Sequence, residues 1–167
     1  MTAAETSIEI RGVTPDDLEA LIDIYLDTAV HHAALDPEVF HVPPRDQVAV
    51  RLQSRIDGRG ATGEYVVATI HGEMAGSASV DIEEPASPGN MIRSVPTAEF
   101  GVSVVERYRG RGIGRVLIAH VERWAADHGI ERMILNVSEA NVGAIRLYHE
   151  LGYRDYDRAM LKRLAPR

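Results

Sequence analysis

The sequence predicts a single α/β domain in which a mixed central sheet is flanked by about four helices. Three observations lead to this prediction. The chain has 167 residues, a length that suits one domain. Segments with alternating apolar residues, typical of strands, are interspersed with segments whose apolar residues recur every three or four positions, typical of helices. No internal repeat or interdomain linker divides the chain, so the domain is expected to span residues 7–164.

The first elements follow from local patterns. Residues 7–11, SIEIR, alternate apolar and polar and predict a strand. A helix is predicted next, because Thr14 can act as N-cap, Pro15 suits the first helical position, and apolar residues then recur at helical spacing. A second helix is predicted over residues 43–58, where Gly58 ends the periodic run.

The remaining elements follow from the same two patterns. β-branched residues on both sides of His71 and Gly72 predict a hairpin over residues 64–82. Three prolines make residues 83–97 a long loop. The rest of the chain is predicted to form, in order, a strand over 98–105, a helix over 112–128 ended by Gly129, a strand over 130–138, a helix over 141–152 capped by Asn141, and a strand over 159–164.

The composition excludes several classes of protein. The absence of cysteine excludes disulfides, thiolate metal sites and a cysteinyl covalent intermediate. No stretch reaches the roughly 18 to 20 apolar residues of a membrane span, and MTAAETSIEI lacks the pattern of a signal peptide. A cytoplasmic protein with no membrane partner is therefore expected. The formal net charge of −7 argues against a nucleic-acid partner, since nucleic-acid binders usually carry a basic surplus.

The charge is divided unevenly along the chain. Residues 1–90 hold 5 arginines and 16 acids, a net of −11, whereas residues 91–167 hold 13 basic residues and 9 acids, a net of +4. A basic second half suits a polyanionic ligand and an acidic first half suits a cationic one. Evenly solvated charge is the alternative, because folding can interleave the two halves.

The most informative stretch is RYRGRGIGRVL, residues 107–117, which lies between a predicted strand and a predicted helix. Bare backbone amides and a helix N-terminus both offer positive partial charge to a phosphate. A P-loop would require Lys and Ser or Thr after Gly114, where this chain has Arg115 and Val116. A dinucleotide-binding fingerprint that begins at Gly110 would require a third glycine at position 115. Both of these alternatives fail on spacing.

The spacing that fits is Arg109-x-x-Gly112-x-Gly114, which resembles the diphosphate-binding motif of the GCN5-related N-acetyltransferase (GNAT) family. A second stretch, LNVSEANVGAIRLYHELGY, resembles the later signature of the same family. It does so through Asn141, Ala144, Leu147, Tyr148, Gly152 and Tyr153. Two independent motifs in the right order support the resemblance more strongly than either motif alone. For the glycine stretch taken alone, a glycine-rich turn with solvated arginines would be the alternative.

The resemblance implies a GNAT-like fold, with the sheet splayed between two parallel strands, and acetyl-CoA as co-substrate without a metal. Backbone groups of one strand would pair with the pantetheine arm, and the glycine stretch would wrap the diphosphate. The implied cofactor-binding residues are Val102, Ser103, Val104, Arg109, Gly110, Arg111, Gly112, Ile113, Gly114, Arg115, Asn141 and Tyr148. For Asn141, a role as helix N-cap is compatible with cofactor binding.

The resemblance also implies two catalytic residues. Tyr148 matches the tyrosine that protonates the departing thiolate in many members of the family, and a core tyrosine is the alternative. Glu99 lies in the strand where members often place the carboxylate that deprotonates the amine, and it should share a strand face with Gly101 and Ser103. A structural carboxylate paired with an arginine is the alternative for Glu99. A backbone amide near Val104 would polarise the thioester carbonyl.

The acceptor is expected to be a primary amine, and a small molecule fits better than a protein N-terminus. Family members that acetylate ribosomal protein N-termini can carry a glutamate where this chain has Asn136. Few residues follow Gly152, so one wall of the acceptor site is expected to be absent or to come from another subunit of a homodimer. His31, His32 and His41 match no metal-binding spacing and are expected to be solvated. A catalytically silent CoA-binding regulatory module and a transferase with another acyl donor or a hydroxyl acceptor are the alternative functions.

Overall fold

A computed structural model describes residues 7–58 and 62–164, and within them a five-stranded sheet and four α-helices. The strands are β1 (Ile8–Gly12), β2 (Gly63–Ile70), β3 (Glu73–Ile82), β4 (Thr97–Val104) and β5 (Arg132–Ile134). The helices are α1 (Leu18–Leu35), α2 (Arg45–Asp57), α3 (Ile113–Asp127) and α4 (Val142–Glu150). Short 3-10 helices at Pro15–Asp17 and Glu106–Tyr108 precede α1 and follow β4. The predicted α/β class is confirmed.

The strands lie in the order β1-β2-β3-β4-β5, and every neighbouring pair is antiparallel except β4 and β5. The sheet is therefore mixed, as predicted. The hairpin between β2 and β3 turns at His71 and Gly72, whose φ angles are 50° and 79°. Positive φ at both central residues is the backbone conformation of a type I′ turn, one of the two common turns of two-residue hairpins.

The two parallel strands separate partway along β4. Their register pairs Thr97 with Arg132 and ends where Glu99 meets Ile134. Beyond Glu99, β4 continues to Val104, and among the described strands it pairs there only with β3. This is the splayed arrangement expected from the resemblance, and it leaves the second half of β4 with an open edge.

Three helices of the first unit, α1, α2 and α3, cover the two faces of the sheet. On one face, α1 and α2 pack with β2 into a core cluster of Val13, Leu21, Ile22, Val48, Leu52, Ile56, Tyr65 and Val67. On the other face, the apolar side of α3 contacts β2, β3 and β4. The buried residues of α3 are Ile113, Leu117, Ile118, Val121 and Ala125. Glu99, Gly101 and Ser103 share the face on which α1 and α2 lie, because side chains alternate along a strand.

The chain divides into two compact units, Met1–Asn136 and Val137–Arg167. The first unit holds the sheet, α1, α2 and α3. In the second unit α4 begins as predicted, because the side chain of Asn141 accepts a hydrogen bond of 3.2 Å from the Ala144 N–H. It also ends as predicted, since Gly152 has a φ of 92°.

Two strand predictions differ from the structure. The strand predicted over residues 130–138 is limited to β5, Arg132–Ile134, and the strand predicted over 159–164 does not form. In the second case Met160, Leu161 and Leu164 are 91%, 70% and 77% exposed. Strand formation requires a partner edge, and alternating residues without such an edge stay extended but unpaired.

Candidate active site

The glycine stretch forms an open turn between β4 and α3. Gly110 and Gly112 have φ angles of 74° and 82°, in the left-handed region that side chains disfavour. Gly112 is the N-cap residue of α3, and among the described residues no side chain caps that helix end. The first-turn amides of α3 therefore remain available to a ligand, and a helix N-terminus of this kind favours an anion. This turn, residues 110–115, forms a cradle that can accept an anion.

Arg109 fastens the cradle to the rest of the first unit. Its Nε donates to the Val104 carbonyl at 3.0 Å, and its Nη2 donates to Asp27 Oδ2 at 2.9 Å. The same Asp27 oxygen accepts a hydrogen bond of 3.2 Å from the Glu106 N–H. Asp27, on α1, thus holds both the start and the end of the turn that leads into the cradle. The side chain of Arg109 thus links the cradle to β4 and α1, while its backbone lies directly before Gly110.

The neighbouring arginines lie around Tyr108. The buried Tyr108 hydroxyl donates to Glu73 at 2.6 Å, and Arg107 pairs with the same carboxylate at 3.2 Å. These contacts, Tyr108 first, hold the pKa of Glu73 below its ordinary value. The exposed guanidinium of Arg111 lies 5.5 Å from the centre of the Tyr108 ring. Arg111 thereby adds positive charge beside the cradle.

The hydrogen-bond alternation of β4 decides which backbone groups face its open edge. The Val105 N–H donates to Ala75 on β3, so the alternate residue Ser103 also directs its backbone groups toward β3. Val102 and Val104 direct theirs to the opposite side, where β5 has ended. Val102 and Val104 can therefore pair with an extended ligand through the backbone, whereas Ser103 can contribute its hydroxyl.

Glu99 lies at the point where the two parallel strands separate. Its Oε1 accepts a hydrogen bond of 2.6 Å from Nδ2 of Asn136, which follows β5. Within the described part of the chain, Glu99 has no ion-pair partner and its Oε2 accepts no hydrogen bond. The arginine pairing considered from sequence is therefore absent there, and one carboxylate oxygen is open to an incoming group.

Tyr148 and Asn141 belong to the second unit. Tyr148 lies on α4, with its ring edge-on to that of Tyr153 at 5.9 Å between centres. Burial raises the pKa of the Tyr148 phenol above its ordinary value. A raised pKa keeps the hydroxyl protonated at neutral and mildly alkaline pH, which is the state a proton donor needs. Asn141 uses its side-chain oxygen as the α4 cap.

The histidines are less solvated than expected. His31 and His32 lie within α1 and are half-buried, while His41 is exposed in the loop that follows. His32 stacks on Phe40 with 5.1 Å between ring centres. Burial, followed by the charges of His31 and Arg109, lowers the pKa of His32 and favours a neutral imidazole. The residues described contain no group of three side chains able to hold a metal ion, and no helix among them is both long and apolar enough to span a bilayer.

Two residues of the site are not evident from sequence. Asp27 is one of many acids on a predicted helix, and its partner Arg109 lies 82 residues away. Asn136 is noticeable in sequence only as a departure from a family pattern, and its partner Glu99 lies 37 residues away. Both contacts depend on tertiary placement, for which the local sequence carries no signal.

An anion cradle at a helix start, beside a strand edge left open by splayed parallel strands, defines an acyl-CoA-dependent transferase of α/β fold. Residues 19–153 match the Acetyltransferase (GNAT) family, to which the chain belongs. The chain is therefore an acetyl-CoA-dependent N-acetyltransferase.

Individual relatives agree with this assignment. The chain is 28% identical to the streptothricin acetyltransferase of Streptomyces lavendulae, over 91% of this chain and 84% of that protein. Its fold matches a mutant of the BH1408 protein from Bacillus halodurans with a TM-score of 0.84 at 21% identity, over 94% and 99% of the two chains. It also matches the aminoglycoside N-acetyltransferase AAC(6')-Iy in complex with CoA, with a TM-score of 0.72 at 21% identity over 98% and 99%. At such identities the structural likeness shows the fold alone.

Proposed function

We propose that this enzyme transfers the acetyl group of acetyl-CoA directly to a primary amine of a small molecule, within a ternary complex. The observation that carries the proposal is the geometry of β4. A cradle for the diphosphate follows its carboxyl end, an open edge for the pantetheine arm lies along its second half, and a carboxylate with one free oxygen lies at its third residue, where pairing with β5 ends.

The first unit supplies the residues that would bind the co-substrate. Backbone amides of residues 110–115, made accessible by Gly110, Gly112 and Gly114, would hold the diphosphate. Arg111 and Arg115 are exposed beside them and add positive charge. The backbones of Val102 and Val104, with the Ser103 hydroxyl, would align the pantetheine arm. The family resemblance also assigns Asn141 and Tyr148, which belong to the second unit, to co-substrate binding.

Acetyl-CoA supplies an activated thioester, and the chain supplies the proton transfers. Glu99 would accept a proton from the acceptor ammonium group through its free Oε2, directly or through a water molecule, and so generate the neutral amine. The backbone N–H of Val104 would donate to the carbonyl oxygen as negative charge develops there. As the new C–N bond forms and the C–S bond breaks, Tyr148 would give its proton to the departing thiolate sulfur.

A small-molecule acceptor is favoured by two considerations. Asn136 occupies the position at which family members that acetylate protein N-termini can carry glutamate, as noted from sequence. In addition, the relative with 84% of its length matched is named a streptothricin acetyltransferase, and a structural neighbour is named an aminoglycoside N-acetyltransferase. These considerations favour a primary amine on a small molecule as the class of acceptor.

Thiol release from acetyl-CoA tests the proposal. The panel should contain aminoglycosides, streptothricin, spermidine, free amino acids and a peptide with a free N-terminus, and the mass of each product should be checked. Turnover with at least one small amine is expected, and turnover with the peptide alone would contradict the proposed acceptor class. Calorimetric titration with CoA is the control, because binding without turnover on any amine would indicate a catalytically silent CoA-binding module. Replacing acetyl-CoA with propionyl-CoA and succinyl-CoA tests the alternative acyl donors.

A further inference from the structure

We infer that Asn136 is a positioning residue that holds the carboxylate of Glu99 in the orientation required for proton abstraction. The inference rests on the proposed function, in which Glu99 is the general base. The observation that carries it is the hydrogen bond of 2.6 Å from Asn136 Nδ2 to Glu99 Oε1, between strands that have just parted.

The register explains why Asn136 can reach Glu99. Ile134 is the parallel partner of Glu99 and the last residue of β5, and Asn136 follows it by two positions. Past Ile134 the two strands no longer pair, so Asn136 lies just beyond the last paired residues. The side-chain amide of Asn136 spans the start of the gap and holds Oε1 of Glu99. This contact restricts the orientation of the other carboxylate oxygen, Oε2.

The charges around Glu99 make the nature of this donor important. The charged groups placed near Glu99 on the same sheet face come from β3, the loop after β3, β5 and α2. Asp81 is the antiparallel partner of Glu99, and the N–H of Glu83 donates to the Thr97 carbonyl. Arg132 is the parallel partner of Thr97, and Arg55 is the fourth charged residue. Arg55 pairs with Asp81. The like charge directly opposite Glu99 is thereby compensated from α2, and Glu99 itself is left without a cation.

A neutral amide in this place has a chemical consequence. An arginine or lysine at position 136 would stabilise the carboxylate strongly and make it a poorer proton acceptor, because an adjacent cation favours the charged form. A second carboxylate there would favour the protonated form, which cannot accept a proton at all. An asparagine orients Glu99 with a hydrogen bond and adds no net charge. Glu99 can then accept a proton from an ammonium group and release it again.

Kinetics of Asn136 variants, alone and combined with Glu99→Gln, test this inference with the amine that the panel shows to be acetylated fastest. Asn136→Leu keeps the size of the side chain and removes the donor, and it should lower kcat roughly tenfold with little change in KM for acetyl-CoA. Asn136→Asp also removes the donor and places a second carboxylate beside Glu99, and it should lower kcat at least as far. In the Glu99→Gln background neither substitution should lower kcat by more than about twofold, since the group they act on is gone.

The controls separate positioning from damage to the fold. Asn136 is exposed, so both variants should keep the melting temperature and CoA affinity of the parent protein. Glu9→Gln, on the opposite edge strand, is the matched control for loss of one carboxylate. Asn136 variants with unchanged kcat would overturn the inference, and so would losses that persist in full in the Glu99→Gln background. A Glu99→Gln enzyme as active as the parent would also overturn the inference, but the proposed acetyl transfer to an amine would remain supported. Failure to acetylate any amine would remove the proposed function first and this inference with it.

Discussion

At the scale of single residues, Tyr148 has the clearest expected role. Its raised pKa keeps the hydroxyl protonated over the pH range in which an amine acceptor is partly neutral. Tyr148→Phe should therefore lower kcat by roughly ten- to ten-thousandfold and leave CoA affinity nearly unchanged. For the same reason, the parent enzyme should show no loss of activity assignable to Tyr148 below about pH 10. Steady-state kinetics from pH 6 to 10 and calorimetry measure both.

A matched control for this substitution is Tyr156→Phe, because Tyr156 is 60% exposed and also loses only a hydroxyl. It should leave kcat unchanged. If Tyr148→Phe retained the parent kcat, Tyr148 would not be on the proton path, and the thiolate would have to be protonated by another group.

Asp27 is a residue whose importance only the tertiary structure reveals. Its carboxylate holds Arg109 and the Glu106 N–H together, and both ionic side chains are about one-third exposed. Asp27→Ala should leave Arg109 without this partner and loosen the cradle, which should raise KM for acetyl-CoA roughly threefold to thirtyfold with a smaller effect on kcat. Asp23→Ala, one turn earlier on α1, removes a surface pair with Arg45 and should change neither constant. Equal effects of the two substitutions on KM would contradict the anchoring role.

At the scale of elements, the start of α3 depends on a residue that tolerates positive φ. Gly112 has a φ of 82°, and a Cβ at this position would meet no heavy atom within 4 Å. The cost of Gly112→Ala is therefore conformational and not steric, and should lower the free energy of unfolding by about 1 kcal/mol. The strained cradle should also bind CoA more weakly. Urea denaturation and calorimetry measure the two effects.

Gly143→Ala, in the first turn of α4, provides the comparison. A Cβ there also meets open space and its φ is not positive, so alanine should stabilise the protein by up to about 1 kcal/mol. CoA affinity should remain within about threefold of the parent. A stabilising effect of Gly112→Ala would show that the cradle does not require the left-handed conformation.

The junction of β1 and α1 carries a pH-dependent contribution to stability. Both oxygens of Asp17 accept hydrogen bonds of 2.7 Å from Arg11, and the Asp17 side chain is only 7% exposed. Hydrogen bonds from Arg11, and then from Thr14, lower the pKa of Asp17 to about 2, although burial opposes this change. In an unfolded chain the pKa would be about 3.9. The stabilisation is therefore complete above about pH 4 and is lost as the pH falls towards 2.

Asp17→Asn tests this assignment. It should lower the free energy of unfolding by about 2 kcal/mol at pH 7, and the difference from the parent should shrink between about pH 4 and pH 2. Urea denaturation at pH 7, 5, 4 and 3 measures the difference. Asp16→Asn removes the adjacent, exposed carboxylate and should change stability by less than about 0.5 kcal/mol at each pH. A difference for Asp17→Asn that stays constant down to pH 3 would contradict the lowered pKa.

At the scale of the whole molecule, sequence predicts what local chemistry determines. The positive φ of Gly129 and Gly152 and the Asn141 cap were all predictable, because turn and cap geometry depend on a few neighbouring residues. Strand formation is different, since a strand requires an edge to pair with. For this reason the alternating residues 159–164 suggested a strand that does not form, and the β5 strand is shorter than its apolar run.

The polar contacts of the site could not be predicted for a related reason. Asp27 pairs with Arg109 and Asn136 with Glu99 only because α1, β4 and β5 are brought together by the sheet. Nothing in the spacing of these residues along the chain marks them as partners. A sequence motif thus predicts the residues that would contact the co-substrate. The residues that position them, such as Asp27 and Asn136, can be identified only from the folded structure.

Binding of the co-substrate should be visible in the stability of the whole protein. A ligand at 100 times its Kd adds about 2.7 kcal/mol to the free energy of unfolding, which for a chain of this size corresponds to a rise in Tm of about 5 to 10 °C. The fluorescence of Trp124, the only tryptophan, reports unfolding of α3 directly behind the cradle. Pantetheine lacks the diphosphate and should raise Tm by less than about 2 °C at the same concentration, because the cradle amides find no anion. The CoA-induced rise should shrink in Gly112→Ala and persist in Tyr148→Phe, since the first substitution alters the anion site and the second a proton donor. Equal shifts with CoA and pantetheine would place the binding energy on the open edge of β4 and not at the start of α3.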